Sequence, residues 1–370
     1  MILEDPGQAA PYMRQRRKAA AALADWSCYD ALMVTDIKNI RYLSGFSGTT
    51  ATMLLTQDQA WFITDFRYME QAAEQTRDLS IQQARDGLEG VAAILSQQGI
   101  KSVAYEAEHV PVASLEKMES KLAGVKLSGA VGVVEGARMI KDEAELETIR
   151  RLVDMLGELM DQARGLIRPG VEEREIAIEL ERAIRLKGAD GPAFEFIVAS
   201  GKRGALPHGV ASSKIVKADE AVTLDWGARG WGYNSDNTRT FLQTGTDKEI
   251  TEIYKITLEA NQAAMEAVRP GVKLSHVDQV ARDIITRAGY GEQFGHGTGH
   301  GVGLDVHEAP RVNGSSMEEA RPGMVFTIEP GIYLPGKGGV RIEDMVYVTE
   351  TGVVNLSQGI PKSLESARLG

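Results

Sequence analysis

An α/β domain over residues 1–136, followed by an α+β domain over residues 139–365 built from an internal duplication, is the fold the sequence predicts. Three observations carry this. A length of 370 residues suits about two domains. Strand-type and helix-type runs alternate through the first part of the chain. In the second part IRPGVEEREIAIELERAIRLKGA, from Ile167, recurs as VRPGVKLSHVDQVARDIITRAGY, from Val268. Both copies carry RPGV, a helical pattern and then a glycine, Gly188 in one and Gly289 in the other.

In chain order, Tyr12 to Leu23 has helical periodicity, and Asp30 to Thr64 reads as short β-type runs broken by Gly45, Gly48 and polar turns. Arg67 to Thr76 is helical again, and Ser102 to Val110 reads as a strand and a loop. Asp65, Arg67 and Tyr68 in DFRY form a polar cluster, read as a helix cap with a surface ion pair, and His109 reads as an isolated loop histidine. Near the boundary, Asp142 is placed to cap a long amphipathic helix with apolar positions Ala144, Leu146, Ile149, Leu152, Met155 and Leu156. The repeated helices precede the strands AVTLDWG and MVFTIEPG, each with a carboxylate just past an apolar run, Asp225 and Glu329. A duplicated unit with an inward acid in each half puts a site between the halves. His276, in the second repeat helix, reads as solvent-facing.

Composition excludes several partners. A formal net charge of −11 argues against nucleic acid and anionic membrane surfaces. No apolar run approaches the roughly 20 residues that span a bilayer, and the start of the chain lacks the pattern of a signal peptide. Cys28 is the only cysteine, which suits a reducing, cytoplasmic setting.

The chemistry-bearing residues gather in the second domain. Of six histidines, FGHGTGHGVGLDVHE holds His296, His300 and His307. Its alternating glycines remove side chains where the backbone must approach something, read here as a ligand or metal ion; buried, hydrogen-bonded histidines on a glycine-rich strand pair are the other reading. Asp225, Glu329 and Glu343 lie within or at the end of apolar strands, where an unpartnered carboxylate would take up a proton, and Asp236 in YNSDNTRTF is the fourth acid of the set. Two divalent cations would cancel their four charges, so a dinuclear centre completed by His300 is expected. Its oxygen-rich ligation favours Mn²⁺ or Co²⁺ over Zn²⁺. Strand alternation puts Arg341 beside Glu343 on the site face and turns Asp344 away as a surface or turn acid. By the same rule Thr238 shares the face of Asp236, where its hydroxyl reaches a ligand carboxylate. His208, in the glycine-rich ASGKRGALPHGVAS, and His307 offer imidazoles to a carbonyl oxygen gaining negative charge.

These residues resemble the pita-bread metallopeptidase family, which includes methionine aminopeptidase, aminopeptidase P, prolidase and the metal-free creatinase. SGKRGALPHG, LDWGARGWGYNSDNTRTF, HGTGHGVGLDVHE, FTIEPGIY and GVRIED carry the resemblance. NIRYLSGFSG and DFRYMEQA resemble the creatinase-type N-terminal domain, which methionine aminopeptidases lack. The resemblance implies two divalent ions per subunit: Asp225 chelating one, His300 and Glu329 holding the other, Asp236 and Glu343 bridging both. It implies a metal-bridging hydroxide as nucleophile and Glu329 passing its proton to the leaving proline nitrogen. His208 and His307 would bind substrate and the oxyanion, and His296 and Arg341 would lie beside the substrate. The expected activity is a cytoplasmic Xaa-Pro aminopeptidase, releasing the residue before proline, in a homodimer whose partner N-domain helps close the site. A strict Xaa-Pro dipeptidase is the alternative, with Arg311 or Arg341 contacting the free carboxylate. A broader methionine-type aminopeptidase and a non-catalytic peptide-binding module are the others; the complete ligand set argues against the last. Asn237 departs from the apolar residue common in relatives but faces away from the site.

Overall fold

The computed structural model describes residues 6–76 and 78–369. Glu4 and Asp5, which precede the N-terminal basic cluster, lie outside these residues. The chain divides into two compact units, one ending at Arg138 and the other beginning at Met139.

The first unit contains α1 (Pro6–Leu23), β1 (Ala31–Val34), α2 (Ile37–Ser44), β2 (Thr52–Leu55), β3 (Ala60–Thr64), α3 (Met69–Gln75), β4 (Ser80–Gln83), α4 (Gly87–Gln98), β5 (Ser102–Glu106), α5 (Val112–Lys121), β6 (Lys126–Ala130) and α6 (Val133–Arg138). Its mixed sheet has the order β4-β3-β2-β1-β5-β6. Met33, Leu54, Ile63 and Val103 pack on Val91, Ile94 and Leu95 of α4 and on Met118 of α5. One segment differs from the sequence reading. Ile37–Ser44, part of the run read as β-type, is the helix α2. Asp36 accepts a hydrogen bond from the Lys38 N–H, and Gly45 closes the far end at φ 78°, its N–H bonded to the Arg41 carbonyl. Ile40, Leu43 and Ser44 then bury one face at helical spacing. Local capping overrides β propensity here. DFRY is a capped turn: Asp65 accepts from the Arg67 backbone and pairs with its guanidinium at 2.7 Å. His109 is exposed.

The second unit begins with α7 (Glu143–Glu158), where Asp142 and Glu145 form a reciprocal capping box. Ala144, Ile149, Leu152, Met155 and Leu156 are buried, as the periodicity required, and Leu146 is half-buried. The helix breaks at Leu159 and resumes as α8 (Met160–Leu166). Asp142→Ala is expected to cost about 1 kcal/mol of stability with no change in catalysis, checked by urea denaturation.

The repeated motif forms α9 (Glu173–Leu186) and α11 (Leu274–Arg287), with α10 (Lys248–Ala267) between them. Gly170 and Gly271 adopt φ 90° and 84°, and Gly188 and Gly289 φ 101° and 90°, so both flanking glycines occupy left-handed backbone in both copies. Each half then supplies an antiparallel sheet, of three strands in the first and five in the second. In the first, β8 (Ile197–Ser200), β9 (Ala221–Trp226) and β12 (Asn237–Leu242) align in the order β12-β9-β8, beside the small sheet of β7 (Gly191–Pro192), β10 (Ala228–Gly230) and β11 (Tyr233–Asn234). In the second, β13 (Gly299–Gly301), β14 (Glu308–Val312), β15 (Val325–Ile328), β18 (Asp344–Val348) and β19 (Val353–Asn355) align as β14-β13-β15-β18-β19. The hairpin of β16 (Gly331–Leu334) and β17 (Gly338–Arg341) stands apart. His276 is exposed on α11. Among the described residues no helix is long and apolar enough to cross a membrane.

Candidate metal centre and active site

Strand pairing gathers the carboxylates. In the β9/β12 ladder Asp225 lies opposite Thr238, and Asp236 is the residue before β12. Glu329 follows β15, while Glu343 lies between β17 and β18, two residues beyond Arg341. Asn261, buried on α10, donates to the carbonyls of Ile328 and Ile342, fixing the backbone immediately before both glutamates. The sequence reading missed it, since a lone helical asparagine has no motif.

The ligand atoms of Asp236, His300 and Glu343 lie within 4.8 Å of one another. The His300 Nε2 stands 3.2 Å from Glu329 Oε1 and 3.7 Å from Asp236 Oδ2. Thr238 donates its hydroxyl to Glu343 Oε2 at 2.7 Å, and Arg341 donates Nε to Thr238 Oγ1 at 3.1 Å and Nη2 to Asp225 Oδ2 at 2.6 Å. The guanidinium also donates to the Pro207 carbonyl and to the Tyr333 hydroxyl, at 3.1 and 3.0 Å. Tyr333, absent from the sequence reading, is buried and links Arg341 to His296, whose Nε2 is 2.8 Å from its oxygen. His307 is exposed, its ring 4.2 Å from that of His300 and close enough to His208 to feel its charge. His208 itself is exposed on its loop.

Two sequence expectations are corrected. Asp344 does face away from the site, but it is fully buried, paired with Arg239 at 2.8 Å and Lys362 at 2.5 Å. Alternation gives a direction, and only the packing of the layer behind β18 decides whether that direction leads to water. The glycines of HGTGHG make room for neighbouring backbone rather than for a ligand. A Cβ at Gly299 would stand 1.9 Å from the Thr327 carbonyl oxygen, and one at Gly301 2.1 Å from that of Ala309.

The electrostatics are those of crowded anions. Burial, then the charges of Glu343, Asp225 and Glu329, push the Asp236 carboxyl well above the usual aspartate value. Glu343 is raised in the same way by burial, Glu329 and Asp225, against the opposing Thr238 hydrogen bond and Arg341. Burial would also raise Glu329, but its hydrogen bond to His300 and the charges of His300, His296 and Arg341 bring it down to about 2. His300 is raised in turn, Glu329 outweighing burial. Burial lowers His296, and His307, exposed as a residue but with its ring partly covered, is lowered by that partial desolvation and then by the His300 charge. The Asp225 Oδ1 is buried with no hydrogen-bond partner among the described residues. A pocket of four acids and one imidazole, with an orphaned carboxylate oxygen and two acids driven to hold protons, fits oxygen-preferring divalent cations. Asp225, Asp236, His300, Glu329 and Glu343 are the residues that would hold them.

The model for metallopeptidase family M24 matches residues 147–350, and that for the creatinase/prolidase N-terminal domain matches residues 16–140. An Xaa-Pro dipeptidase of Pyrococcus horikoshii is 36% identical over 348 residues, 94% of this chain and 97% of that protein. The solved structure of an Xaa-Pro dipeptidase from Bacillus anthracis superposes with a TM-score of 0.92 at 38% identity, covering 95% of this chain and 99% of that one. That of an X-Pro aminopeptidase from Thermotoga maritima superposes at 0.84 with 37% identity, covering 90% and 97%. The chain, a creatinase/prolidase-type N-terminal domain followed by a pita-bread catalytic domain, belongs to metallopeptidase family M24.

Proposed function

We propose that this metallopeptidase is an Xaa-Pro dipeptidase using two divalent ions, Mn²⁺ foremost, held by Asp225, Asp236, His300, Glu329 and Glu343. The convergence of those five side chains supports metal-dependent hydrolysis over a peptide-binding module. The weight moves from aminopeptidase to dipeptidase because relatives named Xaa-Pro dipeptidase match nearly the whole chain, and because of Arg311. Arg311 lies opposite His300 in the β13/β14 ladder, where facing residues share a side of the sheet. It is exposed and makes no ion pair with any described residue. Arg341, the other arginine considered for the substrate carboxylate, is committed to Asp225, Tyr333 and the Pro207 carbonyl.

Divalent ions held by these residues would supply Lewis-acid polarisation of the scissile carbonyl and a lowered pKa for an attacking water. The protein groups divide the remaining work. Glu329, ionised at neutral pH, accepts a proton and delivers it to the proline nitrogen. His307, its pKa lowered so that the ring is neutral, donates an N–H to the developing oxyanion together with His208. His296 and Tyr333 brace Arg341, which holds Asp225 in place. Proline after the scissile bond supplies no amide hydrogen, so recognition rests on the ring and on the carboxylate at Arg311. The same reading includes a homodimer and a cytoplasmic setting, the latter suggested by the single Cys28.

The test is hydrolysis of a matched pair, an Xaa-Pro dipeptide and a longer Xaa-Pro-Xaa peptide, with Mn²⁺ and with a chelator. Cleavage of the dipeptide alone, abolished by chelation, is the expected result. Cleavage of the longer peptide would instead establish the aminopeptidase reading that the Thermotoga maritima match favours. Arg311→Met is expected to raise KM for the dipeptide roughly 10- to 100-fold, the worth of a charge-assisted hydrogen bond, leaving any cleavage of longer peptides unchanged.

A further inference from the structure

We propose that Glu173, at the start of α9, is a positioning residue that acts through His208. The inference rests on the proposed role of His208 at the substrate. The Glu173 side chain is fully buried and accepts five hydrogen bonds, four from the two ends of one loop and one from Arg203 within it. Oε1 takes the Ser200 N–H at 2.8 Å and the Ser200 hydroxyl at 2.7 Å. Oε2 takes Arg203 Nε at 2.9 Å, the Ser212 N–H at 3.2 Å and the Ser212 hydroxyl at 2.6 Å. One carboxylate therefore pins residues 200 and 212, and His208 lies on the segment between them. Arg203 extends the clamp inward, its Nη2 donating to the Val210 carbonyl two residues past His208. The opposite edge of the loop is held by Arg341 through the Pro207 carbonyl. An exposed imidazole on a glycine-rich turn has no packing of its own to fix it, so its direction depends on these anchors.

The other half of the duplication carries a related arrangement from a different helix position, Asp278 aligning with Ala177 and not with Glu173. Asp278, fully buried on α11, accepts from the Thr298 N–H and hydroxyl at 3.1 and 2.8 Å and from Arg282. Arg282 in turn donates to the carbonyls of Phe294 and His296 at 2.9 Å each. Each repeat helix thus presents a buried acid, backed by an arginine, to the histidine-bearing loop of its own half. A carboxylate serving only helix capping would not gather both ends of a separate loop.

The experiment is a double-mutant cycle with thermal melts to establish folding. Glu173→Gln keeps the shape and removes the charge; it is expected to lower kcat on the cleaved Xaa-Pro peptide roughly 10- to 100-fold, the usual range for groups that orient a functional side chain, with KM little changed. In a His208→Ala background the same substitution is expected to add no more than about twofold. Ser212→Ala, a milder change, should reduce kcat in the same direction. Multiplying losses, or a wild-type kcat in folded Glu173→Gln protein, would overturn the proposal, since a purely structural acid changes melting and not turnover per folded molecule. Amide hydrogen exchange reads the clamp without substrate: exchange across residues 201–211 should accelerate in Glu173→Gln while β9 stays protected, and unchanged exchange refutes it. If the wild-type enzyme cleaves no Xaa-Pro peptide, the functional reading falls and the exchange measurement still decides the positioning.

Discussion

Replacing Asp236 by alanine is expected to abolish hydrolysis of Xaa-Pro substrates, lowering kcat/KM by several kcal/mol of transition-state stabilisation, on the order of 10³-fold or more. The residue is buried at the centre of the acid cluster, with a carboxylate oxygen 3.7 Å from His300 Nε2 and ligand atoms grouped with those of His300 and Glu343. Losing it removes an oxygen ligand common to the whole cluster, so both the affinity for the ions and their placement suffer. Metal analysis of the variant should show less than the stoichiometric metal of the wild type. The apoprotein should not be destabilised by this change at neutral pH, because a carboxyl pushed well above its usual value contributes repulsion there. Full activity in Asp236→Ala would sink the metal mechanism.

The second large effect is on stability. Asp236 and Glu343 bind protons more tightly in the folded chain than in the unfolded one. Their contribution is fully present below the ordinary carboxylate range and is lost as pH rises through their raised values. His300 acts in the same sense: raised above 6.5, it stabilises at lower pH and less as pH rises. Glu329 runs the other way, stabilising above 4.5 and losing that contribution as pH falls through about 2. Between pH 5.5 and 8 the lowered His296 and His307 oppose the first three, since their contribution appears as pH rises toward 6.5. The two raised carboxyls and His300 are expected to outweigh them, so chelator-treated protein should melt at lower temperature at pH 8 than at pH 5.5. Divalent cation takes the place of the protons and removes the slope. Binding at a hundredfold excess over Kd is worth about 2.7 kcal/mol per site, which for a unit of this size is a rise in Tm of about 5–10 °C. The rise should be larger at pH 8 than at pH 5.5. Melting curves at the two pH values, with Mn²⁺ and with chelator, check this, and equal shifts at both would contradict the crowding of anions described above.

Features that depend on local chemistry were legible in the sequence. The duplication could be read because RPGV and the closing glycine serve the same two turns in each copy, and those turns need left-handed backbone that glycine adopts freely. The Asp142 cap was legible because the box it forms with Glu145 spans only three residues. Ile37–Ser44 misled, since β-branched residues suit strands until Asp36 and Gly45 cap them into a helix. Asp225, Asp236, His300, Glu329 and Glu343 stood out by type and by their apolar surroundings.

By itself, then, the sequence determined the candidate ligands, the repeat and the side of its strand that each polar residue takes, because side-chain direction follows from backbone periodicity. Tertiary structure alone decided which of those sides meet. It turned Asp344 from an expected surface acid into a buried partner of Arg239 and Lys362, and gave the glycines of β13 neighbouring backbone to accommodate. It brought in Tyr333, Asn261 and Glu173, whose side-chain partners lie between 8 and 101 residues away in the chain. The physical reason is that burial and hydrogen-bond partnership belong to pairs of segments, and no single segment carries the information about what will be packed against it.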